Sequence, residues 1–515
     1  MKEQFIEEFN NRYSYKGDKI VLGKGIFEGE VIPEVEISVP LKMLNRHGLI
    51  AGATGTGKTK SLQILAEQLS IKGIPTLLMD IKGDLSGLAE PGDSNSSKIH
   101  ERYEKLKMQY SAKSFPVELL SISDEKGVRL RATITEFGPI LLSKILNLND
   151  TQTSIMSIIF KYCDDKKLPL IDLDDLRKVL QFVTENEQGK SELVQNYGSI
   201  ASSSLSTILR NIVALEQQGA SRFFGEPSFD TQDLLRTRDN LGVINIIRLA
   251  DIQSYPQFFS TFMLSLLSEI YQTFPEVGDL DKPKLVIFID EAHLIFNEAS
   301  KVLLNQIETI IKLIRSKGIG IYFCTQVPGD IPEGVLSQLG LKIQHALRGF
   351  TAKDKKEINK AVENYPTSIY YNTSELIQQL SIGEAFITSL DEKGIPTPLA
   401  DTFMISPSSR MDILSSSEID TLVNNSDLVK KYAQDINKES AYEILSGRMN
   451  SDYTYMTKNK EIMSETKNTE KHSPSLFETI MNSPFVRDIS RTFIREGSKA
   501  FFGTLGIKNK RNAKK

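Results

Sequence analysis

Between His47 and Leu69 the chain reads HGLIAGATGTGKTKSLQILAEQL, and no other stretch restricts its fold so tightly. Gly52-Ala53-Thr54-Gly55-Thr56-Gly57-Lys58-Thr59 fits the phosphate-loop pattern G-x-x-x-x-G-K-[ST]. Glycines let the backbone curl until successive amide N–H groups point at one anion. In such a loop Lys58 would reach the β- and γ-phosphates of ATP, and Thr59 would offer its hydroxyl to Mg²⁺. Leu49-Ile50-Ala51 reads as a short buried strand, while Leu62, Leu65, Ala66 and Leu69 recur at helical spacing. The order strand, loop, helix puts the phosphates at the positive end of a helix dipole. Gly52 through Thr59 is therefore the expected nucleotide-binding loop, and Thr59 an expected metal ligand.

A second motif lies far downstream, at Lys284-Leu285-Val286-Ile287-Phe288-Ile289-Asp290-Glu291-Ala292-His293. An apolar strand ending in two adjacent acids is the Walker B arrangement. Asp290 would hold the Mg²⁺ shell, and Glu291 would polarise the attacking water as general base. The letters DEAH alone do not make a DEAH-box helicase, since that family needs arginine-rich motifs in a second motor domain. An amphipathic helix over Val302–Arg315 follows, then a buried strand, Gly318 to Thr325, ending at Gln326. Gln326 suits a sensor for the γ-phosphate or the attacking water; an edge glutamine satisfied by solvent is the alternative. Ile343 to Arg348 supplies another strand. Arg348 and Arg315 are the arginines best placed to stabilise phosphoryl-transfer charge, with surface ion pairing the plainer fate of either. Asp80, ending the run Thr76-Leu77-Leu78-Met79, is either an acid near the nucleotide or the cap of a polar loop. Together these strands predict an α/β fold, a RecA-like P-loop core with a mostly parallel sheet flanked by helices.

The flanking segments set the domain expectations. Residues 1–40 hold a short helix candidate and a small β element broken by Gly and Pro. The core is expected over 41–405, interrupted by an all-α insertion at about 139–236 whose face carries Leu205, Ile208, Leu209, Ile212 and Leu215. Ser202, Ser203, Ser204 and Ser206 read as turn and cap residues, and residues 92–113 as a polar connection. GEAFITSLDEKGIPTP closes the core as a hairpin turning at Asp391-Glu392-Lys393-Gly394. From 406 the composition shifts to Ser, Asn, Lys and Glu, predicting a partly disordered linker with one helix near 427–447. The end of the chain, Ser483 to Lys515, reads as a basic amphipathic helix and tail. Such a segment suits nucleic acid, anionic lipid or a partner groove, or else docking on the core. The two cysteines, Cys163 and Cys324, form no metal or redox motif and suggest a reducing, cytoplasmic setting. No run is long and apolar enough for a transmembrane segment, and the amino terminus lacks the apolar region of a signal peptide. A net charge of −4 excludes global attraction to nucleic acid, so any DNA contact must be local.

Several stretches in one order, RHGLIAGATGTGKT, DIKGDLSGL, LVIFIDEAHLIF, IRSKGIGIYFCTQVPGDIP and VLSQLGLKIQHALRGFTAKDKK, resemble the HerA/FtsK class of P-loop ATPases. More narrowly they resemble its bacterial YjgR-like branch, over roughly residues 20 to 405. LNDTQTSIMSIIF, LEQQGASRFFGEP and PEVGDLDKPK extend the likeness through the helical region. The resemblance implies an ATP- and Mg²⁺-dependent motor, a hexameric ring that translocates double-stranded DNA, with nuclease or other protein partners. Carried over by motif, it implies phosphate binding by Lys58 and Thr59, Walker B at Asp290 and Glu291, and a sensor at Gln326. Arg348 is then the preferred arginine finger across a subunit interface, and Arg315 the second. Two features depart from the pattern: little chain precedes the phosphate loop, and Val327 stands where many such motors carry Arg. The competing expectation is a P-loop ATPase acting as a nucleotide-gated scaffold for a protein or membrane partner.

Overall fold

The computed structural model describes residues 1–252, 255–297, 301–434 and 439–448. The expected basic helix and tail over Ser483–Lys515 lie outside the described residues. Within them the chain forms one compact unit, Met1–Leu445.

Short apolar runs become parallel strands wherever helices can cover both faces. Here β3 (Gly48–Ala51), β4 (Thr76–Asp80), β5 (Val117–Ser121) and β6 (Val128–Arg129) come first. A two-stranded side ribbon, β7 (Thr237–Arg238) and β8 (Leu241–Gly242), precedes β9 (Ile244–Arg248). Next come β10 (Leu285–Ile289), β11 (Ile319–Thr325) and β12 (Leu341–Gln344). The antiparallel strands are β1 (Lys19–Phe27), β2 (Glu30–Pro40), β13 (Glu384–Thr388) and β14 (Ala400–Met404). All but the ribbon join a 12-stranded sheet in the order β2-β1-β14-β13-β12-β3-β11-β10-β4-β9-β5-β6. Strands β12 to β6 in that order are parallel.

The amino-terminal β element is thus part of the central sheet, not a separate layer. Its hairpin turns through Glu28 and Gly29, at φ 52° and 81°, and β1 pairs with β14. Helix α1 (Lys2–Arg12) seals that edge by stacking Phe5 and Phe9 among Phe27 and Tyr370. The hairpin β13–β14 turns at Asp391–Gly394 as its sequence indicates, with Gly394 N–H donating to the Asp391 carbonyl at 2.8 Å.

Helix α2 (Lys58–Ile71) lies on one sheet face, where Leu62, Leu65 and Leu69 share a core with Ile50, Leu78, Phe288 and Ile343. On β10 and β12 the same core takes alternate residues, Val286 with Phe288 and Leu341 with Ile343, as a face period of two requires. The connection at 92–113 contains a helix, α3 (Ser97–Leu106), burying Ile99, Tyr103 and Leu106 at i, i+4 and i+7. Polar neighbours hid that stripe in the sequence.

The helical insertion runs through α4 (Ile134–Ile145), α5 (Asp150–Lys166), α6 (Leu173–Glu185), α7 (Glu187–Tyr197) and α8 (Ser202–Gln217). Capping boxes at Thr133/Glu136, Asn149/Gln152 and Asp172/Asp175 start three of these helices. Ser202 to Ser206 lie inside the first turns of α8, where the Ser206 hydroxyl donates back to the Ser202 carbonyl at 2.9 Å. Their expected place outside the helix is therefore corrected. Helices α9 (Pro256–Thr273), α10 (His293–Asn297) and α11 (Lys301–Ile314) complete the chain around β10, and α9 touches both α4 and α11.

Beyond β14 the chain continues across α2 as an ordered strap, past the boundary near 405 that the composition shift suggests. Glu67 of α2, only 3% exposed, accepts from Ser408 N–H (2.7 Å), Ser409 N–H (3.0 Å) and the Ser409 hydroxyl. Lys60 donates to the Met411 carbonyl at 2.5 Å, and Leu414 N–H to the Ser86 hydroxyl at 3.0 Å. Helices α12 (Glu333–Leu336), α13 (Ala352–Val362) and α14 (Thr373–Gln379) lie between β11 and β13, and α15 (Ser416–Asn424) and α16 (Asp427–Tyr432) follow the strap. Among the described residues no helix is long and apolar enough to cross a membrane.

A buried carboxylate with three donors is costly to delete, because those donors are left without a partner. Glu67→Ala is expected to destabilise the protein by about 2–4 kcal/mol. It should also open residues 405–414 to protease. Chemical denaturation and limited proteolysis check this; an unchanged midpoint would mean the strap is held elsewhere.

Candidate active site

Strand register brings the motif residues together. Ala51 of β3 is level with Thr325 of β11 and with Gln344 of β12, while Ile289 of β10 is level with Phe323 and with Met79 of β4. The residues that follow, Gly52 onward, Gln326, His345, Asp290 and Asp80, emerge side by side at the carboxyl edge. That edge is where open α/β sheets bind ligands.

The phosphate loop departs from β3 with Gly52, Gly55 and Gly57 at φ 155°, 78° and 120°. A Cβ on Gly52 would lie 2.6 Å from that of His345, so glycine is required there sterically as well. Gly57 occupies the N-cap of α2 without a side chain, leaving the first-turn amides of Lys58 and Thr59 without a capping side chain. Lys58 Nζ, buried, donates to the loop's own Gly52 and Ala53 carbonyls at 2.5 and 3.1 Å. Burial, reinforced by nearby Lys82, lowers its pKa, which an arriving anion would reverse. Thr59 is half-buried on the first turn. Free helix-terminal amides and a buried ammonium satisfied only by carbonyls fit a polyphosphate.

The acid pair fits the matching metal. Asp290 and Glu291 are 4% and 6% exposed, and Asp290 Oδ2 and Glu291 Oε2 have no hydrogen-bond partner. Burial pushes Asp290 up to about 6. Burial works the same way on Glu291, but the Lys82 ammonium overrides it and holds that carboxyl below its ordinary value. Lys82 contacts Glu291 Oε1 and lies 3.9 Å from Asp290 Oδ2. His293 Nδ1 sits 3.2 Å from Glu291 Oε2, without hydrogen-bond alignment. Glu291 itself has φ 47°, the strained left-handed region for a residue with a side chain.

The remaining sequence-derived residues divide. Gln326 is exposed immediately after β11, on the same edge. Asp80 is a cap: it accepts from Gly83 N–H (2.7 Å), Asp84 N–H (3.1 Å) and Leu85 N–H (3.1 Å). Arg348, exposed, donates to the carbonyls of Gln378 and, at 3.1 Å, Leu380, at the end of α14 (Thr373–Gln379). Arg315 precedes β11 and pairs with Asp279 at 3.5 Å, at the opposite end of that strand from Gln326. Two residues had no signal of their own. Lys82 was visible only as part of a strand-end loop. His345 joins Ser61 of α2 (Nε2 to hydroxyl, 2.8 Å) to the Glu384 carbonyl (Nδ1, 2.9 Å), a tie made across the fold.

A family description, Helicase HerA-like C-terminal, matches residues 28–510. The chain is 20% identical over 356 residues to the DNA double-strand break repair helicase HerA of Sulfolobus acidocaldarius, covering 68% of this chain and 64% of that one. The corresponding protein of Sulfurisphaera tokodaii is 23% identical over 363 residues, covering 69% and 64%. The chain thus spans 64% of the length of these two relatives. In fold it is similar to the conjugative coupling protein TrwBΔN70, at TM-score 0.51 and 13% identity over 79% of this chain and 95% of that one.

His345 gives a pH test of this geometry. Burial depresses it to about 4 from an ordinary 6.5, so the unfolded chain takes up its proton first as pH falls. The stability it contributes is complete above about 6.5 and lost toward 4. Thermal midpoints from pH 7 to 4 should fall less steeply in His345→Gln. Parallel curves for the two proteins would show that the imidazole is not buried neutral.

Proposed function

This chain belongs to the HerA-like C-terminal helicase family, and on that premise we propose that it is an ATP-hydrolysing motor of the HerA/FtsK class. It works as a homo-oligomeric, hexameric ring on double-stranded DNA. The observation that carries the reading is the pairing of an uncapped phosphate loop with two buried acids, each retaining an unpartnered oxygen. The loop amides from Gly52 to Thr59 and the Lys58 ammonium bind the β- and γ-phosphates. Thr59 and Asp290 hold Mg²⁺, which neutralises phosphate charge when bound. Glu291 takes the proton of the attacking water on its free oxygen, and Gln326 orients that water. Arg348 acts on a neighbour's γ-phosphate as arginine finger, ahead of Arg315, which lies at the far end of its strand.

The relatives' names as DNA repair helicases support DNA as substrate and a repair partner such as a nuclease. Both cysteines are buried and free, which suits a reducing cytoplasm. The net charge of −4 favours a second reading, a nucleotide-gated scaffold that moves no DNA.

Four measurements test the assignment. Lys58→Ala should lose nucleotide binding or turnover, and full activity would remove the loop from the chemistry. Glu291→Gln should bind ATP and hydrolyse it about 10² to 10⁴ times more slowly. ATPase with and without duplex DNA at low salt separates motor from scaffold, since the scaffold predicts no stimulation. The finger is tested by mixing inactive Arg348→Ala and Lys58→Ala subunits after co-assembly. A finger acting in trans restores part of the activity, because some interfaces then pair an intact Lys58 with an intact Arg348. No recovery at any ratio would pass the same test to Arg315.

A further inference from the structure

We propose that Lys82 is the positioning residue for the water-activating carboxylate, clamping one oxygen of Glu291 so that the other stays presented. The inference rests on Glu291 acting as the base in the function proposed above, and adds a residue to that site. Three features of the fold carry it.

First, Lys82 is delivered with little freedom. It sits two residues beyond β4, the strand hydrogen-bonded beside β10, with Met79 level with Ile289. Its loop is braced from within by Asp80, which accepts the amides of Gly83, Asp84 and Leu85. Gly83 at φ 76° makes the turn, and Leu249 N–H ties the Asp80 carbonyl to the chain after β9 at 3.0 Å. Second, the contact is selective. Lys82 Nζ engages Glu291 Oε1, whereas Oε2 of the same carboxylate and Oδ2 of Asp290 are buried without a hydrogen-bond partner. One oxygen is anchored by an ammonium, while the other has only His293 Nδ1 beside it, at 3.2 Å and without hydrogen-bond alignment, and so stays available to a water at a fixed angle.

Third, Glu291 needs an anchor. Its backbone is in the left-handed region, at φ 47°, immediately after the strand has ended. Strain of this kind persists only where surrounding contacts over-determine it: Ala292 N–H donates to the Cys324 carbonyl and Leu294 N–H to the Glu291 carbonyl, both at 2.9 Å, which fixes the main chain and leaves Lys82 to hold the side chain. Lys58 cannot be the anchor, because its ammonium is directed to the Gly52 and Ala53 carbonyls. In the reaction the water oxygen bonds to the γ-phosphorus while the bond to the leaving ADP oxygen breaks. The water proton passes to Glu291 Oε2, and Lys82 keeps its own proton throughout.

The test is a double-mutant cycle on the full chain, read in two ways, with Lys82→Met, Glu291→Gln and the pair. In protein stripped of nucleotide and metal, Lys82→Met should lower the melting midpoint by about 2 °C or more. Glu291→Gln should return part of that loss, because the unpaired charge is gone. In Mg²⁺ and ATP, Lys82→Met should lower kcat about 10- to 100-fold while affinity for a non-hydrolysable ATP analogue stays within about threefold. Lys82→Arg should recover most of kcat, and the double variant should be no slower than Glu291→Gln alone. Additive losses in both melts and kinetics, or an unchanged kcat in Lys82→Met, would overturn the proposal. Failure of the underlying reading looks different: Glu291→Gln would then keep full turnover, or the wild type would have none. The melting cycle still decides in either case whether Lys82 holds Glu291.

Discussion

Everything at the candidate site depends on one constraint, the common register of β12, β3, β11, β10 and β4. Strands β3, β11 and β12 end at one level and β10 and β4 stop within two residues of it, so chain segments from residue 52 to residue 345 emerge as neighbours. Parallel strands demand long crossover connections, and this chain lets those connections carry its helices. Their interiors are largely apolar, so the polar residues collect at and just past the strand ends, on the edge where open α/β sheets bind ligands. That is why a phosphate loop, an acid pair and an amide appear at equivalent places on different strands.

The same constraint creates an electrostatic problem. Lys58, Asp290 and Glu291 are buried, whereas the Lys82 side chain keeps 35% of its surface exposed. Unpaired, each of the three buried charges would carry a desolvation penalty of several kcal/mol. The chain resolves it internally: Lys58 is held by loop carbonyls and Lys82 by the acid pair. The signs nearly balance, yet the geometry leaves two carboxylate oxygens and a helix N-terminus unsatisfied. A site arranged this way gains more from a paired anion and cation, such as a nucleotide with its metal, than from either alone.

The sequence made local chemistry legible and distant chemistry illegible. The phosphate loop could be read because its glycines, Lys58 and Thr59 are adjacent and each answers one local requirement. The acid pair could be read because an apolar strand announces its own end. His345 could not, since its partner Ser61 is 284 residues away and only the packing of β12 against β3 brings them together. Lys82 failed similarly: its loop was visible, but that β4 lies beside β10 was not. Asp80 remained open between ligand and cap until its three amide donors decided for the cap. The strap just after Met404 is not legible in the sequence because polar composition signals exposure, whereas here the buried Glu67 holds Ser408 and Ser409 against a helix.

The connections around the phosphate loop tie it to the arginine that follows β12. Gly383 N–H donates to the Thr56 carbonyl at 3.3 Å, and Ala53 N–H to the Ala346 carbonyl at 2.8 Å. Arg348, two residues past Ala346, is fastened to the carbonyls of Gln378 and Leu380, in the turn that leads to Gly383. Loop and arginine therefore grip the same short turn from opposite ends. The phosphate loop and the Arg348 guanidinium are thus linked through one turn of the fold, although the two lie on different strands of the sheet.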